Sequence, residues 1–177
     1  MKNTRLTLSL LVWLAFLSAC ARVPAERPAD LSLSFSWDTG SLPPQYRYEY
    51  VIIIGPGGQG QLVYQLGYGG MESPETLRRV SDFTLTEAEL ETLYTFLKEN
   101  GVFDTKWKTG EPMMGGSGSS LIVTAFEKVY RMPSISELSN TQQAQADTIF
   151  EGVREYVPQA IWDEMAAWRD EYQAEEQ

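Results

Sequence analysis

The chain has 177 residues and a formal net charge of −10, from 24 acidic and 14 basic side chains. Such an acidic chain is not expected to bind nucleic acid or to lie flat on an anionic membrane. It contains no histidine and one cysteine, Cys20. Histidine-dependent nucleophile systems, zinc ligand sets and an intramolecular disulfide are therefore excluded, and no metal or cofactor site is predicted.

The first twenty residues have the layout of an export signal. Lys2 and Arg5 precede the apolar run 6–17, which is shorter than the roughly 20 apolar residues that a membrane-spanning helix needs. The run ends in Leu17-Ser18-Ala19-Cys20. This tetrapeptide resembles the lipobox of bacterial lipoproteins, in which a leucine and two small residues precede an invariant cysteine.

The lipobox resemblance implies that residues 1–19 are removed and that Cys20 becomes a lipidated N-terminus. In that family the cysteine carries a thioether-linked diacylglycerol, usually with an added N-acyl chain, and two or more acyl chains give stable anchoring. The alternatives are cleavage at another bond, or a Cys20 that is buried or free without a role. Loss of Lys2 and Arg5 with the leader would take the net charge from −10 to −12.

The resemblance also implies a location on the extracytoplasmic side of a bacterial membrane. In many bacteria with two membranes, an aspartate directly after the cysteine retains a lipoprotein in the inner membrane, and here Ala21 takes that position. The outer membrane is therefore expected if the host has one. Residues 20–30 include two prolines and mixed charge, and they are interpreted as the lipidated N-terminus and a tether.

Alternating apolar and polar residues predict most of the strands that follow. The segment 31–37 alternates with period two, as does 46–54, which places three tyrosines and two isoleucines on one face. Glycine-rich residues 55–60 then predict a hairpin turn. The remaining strands are expected at 62–68, 76–83, 119–126 and 129–132, the last two forming a hairpin that turns at Glu127-Lys128. Tyr64 and Tyr68 would continue the tyrosine face of 46–54, and this face is interpreted as core under the helices.

Local signals predict two helices and favour a third. Thr86 and Glu89 form a capping box ahead of an apolar stripe, so a helix is expected over 86–100. A second is expected at about 141–157, and Pro158 suits the first position of a third. The fold class is therefore α+β, with an antiparallel sheet of about five to six strands and two to three helices on one face.

This order of elements suggests a single domain over residues 31–173, followed by a frayed acidic tail at 174–177. The order resembles that of uncharacterised exported bacterial domains, in which a hairpin, a capped helix ending in Gly101-Val102-Phe103, a second hairpin and a terminal helix follow one another. The resemblance implies only a fold.

The segment Asp38-Thr39-Gly40-Ser41, preceded by Phe35-Ser36-Trp37, resembles the active-site signature of aspartic proteases. Those enzymes need two such aspartates that share a proton, so a single copy would require a dimer. The alternative is an Asx-type turn at the end of a strand, where Asp and Gly are favourable. A dimeric aspartic-type hydrolase using Asp38 is therefore the alternative functional hypothesis.

The loop 104–118 offers the best candidate for partner contact. It contains Trp107 between two lysines, together with Met113 and Met114, and adaptable Met and aromatic side chains suit protein interfaces. The alternative is ordinary packing of these side chains within the loop. The leading hypothesis is therefore a non-enzymatic, lipid-anchored binding or accessory domain that contacts an envelope protein or a cell-wall component. Binding of a small ligand between the sheet and the helices is a third possibility.

Overall fold

A computed structural model describes residues 23–68, 77–110 and 116–175. The strands and helices follow in chain order as β1 (Ser32–Asp38), β2 (Tyr48–Ile54), β3 (Gln59–Leu66), β4 (Arg78–Thr84), α1 (Glu87–Glu99), β5 (Gly118–Ala125), β6 (Lys128–Met132), α2 (Asn140–Arg154) and α3 (Gln159–Glu175). This arrangement confirms the predicted α+β class, with six strands and three helices in the described part of the chain.

The six strands form one antiparallel sheet in the order β4-β3-β2-β1-β5-β6. Strand β1 lies inside the sheet, because it pairs with β2 on one side and with β5 on the other. The register places Trp37 opposite Tyr50 and also opposite Ser119. Alternation along each strand then puts the large apolar side chains on a single face.

The three helices cover this apolar face and complete one buried core. Phe35 of β1 stacks on Phe150 of α2 with the ring centroids 5.1 Å apart, while Tyr50 of β2 meets Trp162 of α3 edge-on at 5.0 Å. Helix α1 contributes the fully buried Leu93, Tyr94 and Leu97. Leu93 of α1, Phe150 of α2 and Met165 of α3 are all buried in this core.

The helices lie across the sheet in order from one end of the strands to the other. Tyr94 of α1 contacts Phe126, just beyond the end of β5, whereas Phe150 of α2 packs at the middle of β1. Trp168 of α3 contacts Tyr64 of β3 at the opposite end. The α1 side and the α3 side of the molecule are thus separated by roughly one strand length, about 20 Å for seven residues.

Several boundaries and orientations differ from the sequence-based expectations. The second hairpin turns at Phe126-Glu127, one residue earlier than expected, and both residues have positive φ, 56° and 58°. Tyr46 lies in a short 3₁₀ turn and is 42% exposed, and Tyr68 lies beyond β3 and is 55% exposed. Both were expected on the inner face of the hairpin, but both lie outside the paired strands β2 and β3.

The segment that precedes β1 packs on α1. The Pro24 carbonyl oxygen accepts hydrogen bonds from the Tyr94 hydroxyl at 2.6 Å and from Lys98 Nζ at 3.2 Å. Arg27 forms ion pairs with Glu87 and with Glu91. Val23, Pro24 and Arg27 are therefore held on the body, within the range 20–30 that was expected to form the tether.

The second face of the sheet is more polar and carries a few exposed apolar side chains. Ile53, Val80 and Val129 are 41%, 47% and 54% exposed, and Ser36 is hydrogen-bonded to Ser120 at 2.9 Å. Among the residues that the structure describes, no helix has the length and apolar character needed to cross a bilayer.

Candidate functional site: an aromatic cleft between sheet and helices

A cleft of about 610 Å³ opens between the sheet and the junction of α2 with α3. Its aromatic lining comes from β1, β2, β3 and α3, and two arginines reach it from α2 and α3. We define the aromatic cleft by Trp37, Tyr48, Tyr50, Tyr64 and Trp162 with Arg154 and Arg169. The volume lies within the roughly 300–1,000 Å³ of small-molecule sites.

The floor of the aromatic cleft is a series of stacked rings on adjacent strands. Trp37 and Tyr50 face each other across β1 and β2, with ring centroids 5.3 Å apart and planes 20° from parallel. Tyr48 stacks on Tyr64 at 5.4 Å and 12°. Tyr50 and Tyr64 are only 3% exposed, whereas Trp37 and Tyr48 are partly exposed. The rings at the bottom of the floor are therefore closed to solvent, whereas those at its edge are accessible.

Both arginines lie against these rings. The Arg154 guanidinium carbon is 5.3 Å from the ring centroid of Trp162 and 5.7 Å from that of Tyr50, and that of Arg169 is 5.2 Å from the ring of Tyr48. These distances are typical of cation–π contacts. Trp162 is fixed further because its indole N–H donates to the Arg154 carbonyl oxygen at 3.3 Å.

The two arginines differ in their polar partners. Arg169 forms an ion pair with Asp170 at 3.2 Å. Arg154 has no carboxylate partner among the described residues, and its side chain is exposed. Its five N–H donors are therefore available to a ligand.

The hydroxyl of Tyr50 is buried without a hydrogen-bond partner in the described part of the chain. Burial also raises the pKa of Tyr50, and of Tyr64, well above the usual value, so both hydroxyls stay neutral. An unsatisfied buried hydroxyl costs about 1–3 kcal/mol and calls for an explanation. The Tyr50 ring lines the cleft, where it contacts Arg154 and Trp162.

Three carboxylates stand on the rim: Glu151, Glu155 and Asp163 are exposed and line the cleft. Asp163 accepts a hydrogen bond from the Gln159 side-chain amide at 2.9 Å. With Arg154 and Arg169, the rim therefore presents both charge signs and both donors and acceptors. The arrangement suits the recognition of a polar molecule with an apolar face.

The structure places Asp38 at the end of β1, outside the aromatic cleft. Its carboxylate accepts the Gly40 N–H at 2.7 Å, which is an Asx turn. Arg47 lies 3.3 Å from Asp38 Oδ1 and 2.9 Å from Glu49 Oε2, so it bridges two carboxylates that face each other across β1 and β2. The interactions of Asp38 therefore stabilise the end of β1 and the turn that follows it.

Trp107 lies apart from the aromatic cleft, in a segment hydrogen-bonded to the first turn of α2 and to the connection that precedes it. The Lys108 N–H donates to the Gln142 side chain at 2.8 Å, and the Gly110 N–H to the Glu137 carbonyl at 2.6 Å. Trp107 is partly buried and lines a second cavity with Ile122 and Arg131. Cys20, Met113 and Met114 lie outside the described residues.

The residues that sequence reasoning missed are the two arginines and Trp162. The tyrosines of β2 and β3 were recognised as one face and interpreted as core, which holds for Tyr50 and Tyr64. The sequence carried one signal for the cleft, which is that α3 follows closely on the end of α2. Two helices that meet over an aromatic sheet face leave a gap at their junction. Nothing local in the sequence marks Arg154 as unpaired.

Comparisons with known proteins add no assignment. No protein-family model matches the chain, and no curated protein sequence matches it.

Proposed function

We propose that this protein is a membrane-anchored bacterial lipoprotein whose folded domain is a non-enzymatic binding module of the cell envelope. The anchor is supported by the leader and by Leu17-Ser18-Ala19-Cys20, which resembles a lipobox. Binding is supported chiefly by one observation, the aromatic cleft with an exposed arginine that has no carboxylate partner among the described residues.

The interactions of Asp38 favour this proposal over the dimeric hydrolase. A shared-proton dyad needs two carboxylates that face each other without an intervening cation. Asp38 instead lies against Arg47, whose side chain is only 11% exposed and which also pairs with Glu49. The ion pair with Arg47 would have to be given up before Asp38 could share a proton with a second carboxylate.

The anchor is tested by labelling cells that produce the full chain with an alkyne-bearing palmitate analogue. We expect label in the wild-type protein and a membrane-bound distribution after extraction with high salt. Cys20→Ala should lose both, whereas Ser18→Ala, which leaves a small residue before the cysteine, should retain both. Labelling of Cys20→Ala at the wild-type level would contradict the lipoprotein proposal.

The binding surface is tested by photo-crosslinking in cells, with p-benzoyl-phenylalanine placed at one position at a time. Asp163 reports on the aromatic cleft, Lys106 reports on the loop around Trp107, and Val80, exposed on β4 at the sheet edge opposite β6, is the control. We expect a discrete adduct from Asp163. An adduct from Lys106 alone would mean that the binding surface is the loop with Trp107, Met113 and Met114 instead of the aromatic cleft. Equal labelling at all three positions, or none, would contradict a binding function.

A further inference from the structure

We propose that the ligand of the aromatic cleft is a saccharide, bound with the face of a sugar ring against the partly exposed aromatic rings at the mouth of the cleft. This inference rests on the binding function proposed above and names its ligand class. A pyranose ring presents polarised C–H groups on its faces and hydroxyls around its rim. The π-faces of aromatic side chains are electron-rich, so they attract such C–H groups.

The charges of the lining favour a neutral ligand over an ion. Glu151, Glu155 and Asp163 stand on the rim against Arg154 and Arg169. An organic cation on the aromatic rings would be repelled by the two guanidinium groups, which already lie against those rings. An anion would gain from Arg154 but would meet three carboxylates, which repel it. A neutral ligand that carries many hydroxyls avoids both penalties.

The unused hydrogen-bonding groups match such a ligand. The guanidinium of Arg154 can only donate, and the rim carboxylates can only accept, so a ligand must offer acceptors and donors close together. Sugar hydroxyls do both. The Tyr50 hydroxyl is the third group, because it has no partner among the described residues and belongs to a ring that lines the cleft against Arg154.

The positions of the aromatic rings favour a ligand stacked at the mouth of the cleft over one enclosed deep inside it. Trp37, Tyr48 and Trp162 are partly exposed at the mouth, while Tyr50 and Tyr64 are buried below them. The cleft volume of about 610 Å³ lies near the middle of the range for small-molecule pockets and is about twice the lower end of that range. We therefore expect a short oligosaccharide, rather than a single sugar ring, to fill it.

The test is calorimetric titration of the full-length lipidated chain, in nanodiscs, with the β-1,4-linked trisaccharides of glucose and of N-acetylglucosamine. We expect saturable binding of at least one of them. Trp162→Ala and Arg154→Ala should each weaken that binding at least tenfold. Trp107→Ala, which removes a tryptophan outside the cleft, should leave the affinity within twofold of wild type.

Tyr50→Phe separates ligand contact from fold maintenance. It removes a buried hydroxyl that has no protein partner in the described residues, so the unfolding temperature should stay equal or rise. If the hydroxyl contacts the sugar, the affinity should still fall at least threefold. Full affinity in this variant would remove Tyr50 from the proposed contacts and overturn that part of the inference.

Parallel titrations with inorganic phosphate and with tetramethylammonium test the charge argument. We expect neither ion to bind. Binding of either ion that is lost in Trp162→Ala or Arg154→Ala would overturn the saccharide proposal, as would the absence of binding by both trisaccharides. A discrete crosslink from Asp163 in the same cells would then show that the binding function stands with another ligand, whereas its absence would contradict both.

Discussion

At the scale of single residues, the turn between β5 and β6 depends on a side chain from elsewhere in the chain. Two-residue hairpin turns with positive φ at both positions favour Asn-Gly, because a side chain is strained there. Phe126 and Glu127 occupy these positions. The Asp30 carboxylate accepts both of their N–H groups, at 2.9 and 2.7 Å. The bond from Glu127 in particular holds the pKa of Asp30 below its usual range.

We therefore predict that Asp30→Asn lowers stability by about 1 kcal/mol at pH 7. Because the pKa of Asp30 is lower in the folded state than in the unfolded state, its contribution is fully present above about pH 4. It is lost as the pH falls through the folded-state value. Urea unfolding of both proteins at pH 7 and pH 3 checks this expectation, and a difference that grew in acid would contradict it.

Glu127→Gly is the matched variant for the same turn. Glycine adopts positive φ without strain, so this change should raise stability by about 1 kcal/mol at either pH. Destabilisation by Glu127→Gly would mean that the glutamate side chain, rather than the Asp30 bonds, maintains the turn.

At the scale of elements, β3 and β4 fit together only because Gly60 has no side chain. Gly60 lies opposite Phe83, and a methyl group added at Gly60 would overlap the Phe83 ring. Phe83 is 9% exposed, so its ring has little room to move. The sequence places Gly60 at the end of a glycine-rich turn, whereas the structure makes it the second residue of a strand.

We predict that Gly60→Ala destabilises the protein by about 1–3 kcal/mol, as expected for overpacking. Removing a glycine would otherwise stabilise the chain slightly by restricting the unfolded state. Gly116→Ala is the control, because a methyl group there would meet nothing within 4 Å. Thermal unfolding of both variants decides the point, and equal transition temperatures would refute the packing argument.

The elements that were predicted from sequence are those whose signals are local. The capping box of α1 is present as expected, with the Thr86 hydroxyl accepting the Glu89 N–H and the Glu89 carboxylate accepting the Thr86 N–H. The turn at Phe126-Glu127 was misplaced because its stabilising partner, Asp30, is almost a hundred residues away. A turn that is stabilised by a side chain so distant in the chain has no local sequence signal.

The candidate site was predicted only in part, for a related reason. Alternation correctly placed Tyr48, Tyr50 and Tyr64 on the face under the helices. Arg154 and Trp162 reach the same point from separate helices. Their meeting depends on the order in which three helices cross the sheet, which periodicity does not specify.

At the scale of the whole molecule, the segment before β1 determines how the body would be held if Cys20 carries lipid as proposed. Pro24 is hydrogen-bonded to Tyr94 and Lys98, and Arg27 is paired with Glu87 and Glu91. Cys20 precedes Val23 by three residues, a reach of at most about 11 Å. The α1 side would then face the bilayer, and the aromatic cleft would lie towards the other end of the sheet.

We predict that a fluorophore at Thr95→Cys on α1 transfers energy to bilayer acceptors more efficiently than one at Glu171→Cys on α3. Both positions are exposed, so labelling should not disturb the core. In Arg27→Ala/Lys98→Ala the two efficiencies should converge, because the segment is released from α1. Equal efficiencies in the otherwise unchanged chain would contradict the orientation.

The position of β1 inside the sheet has a mechanical consequence for a protein held at its N-terminus. Tension between the bilayer and a ligand in the aromatic cleft would run along β1, from Leu31 towards Trp37. Strand β1 is paired on both edges, with β2 and with β5, so such a load would shear two hydrogen-bonded ladders at once instead of peeling one edge. The contacts of Pro24 and Arg27 would yield first and lengthen the attachment, while the sheet and the cleft stayed intact.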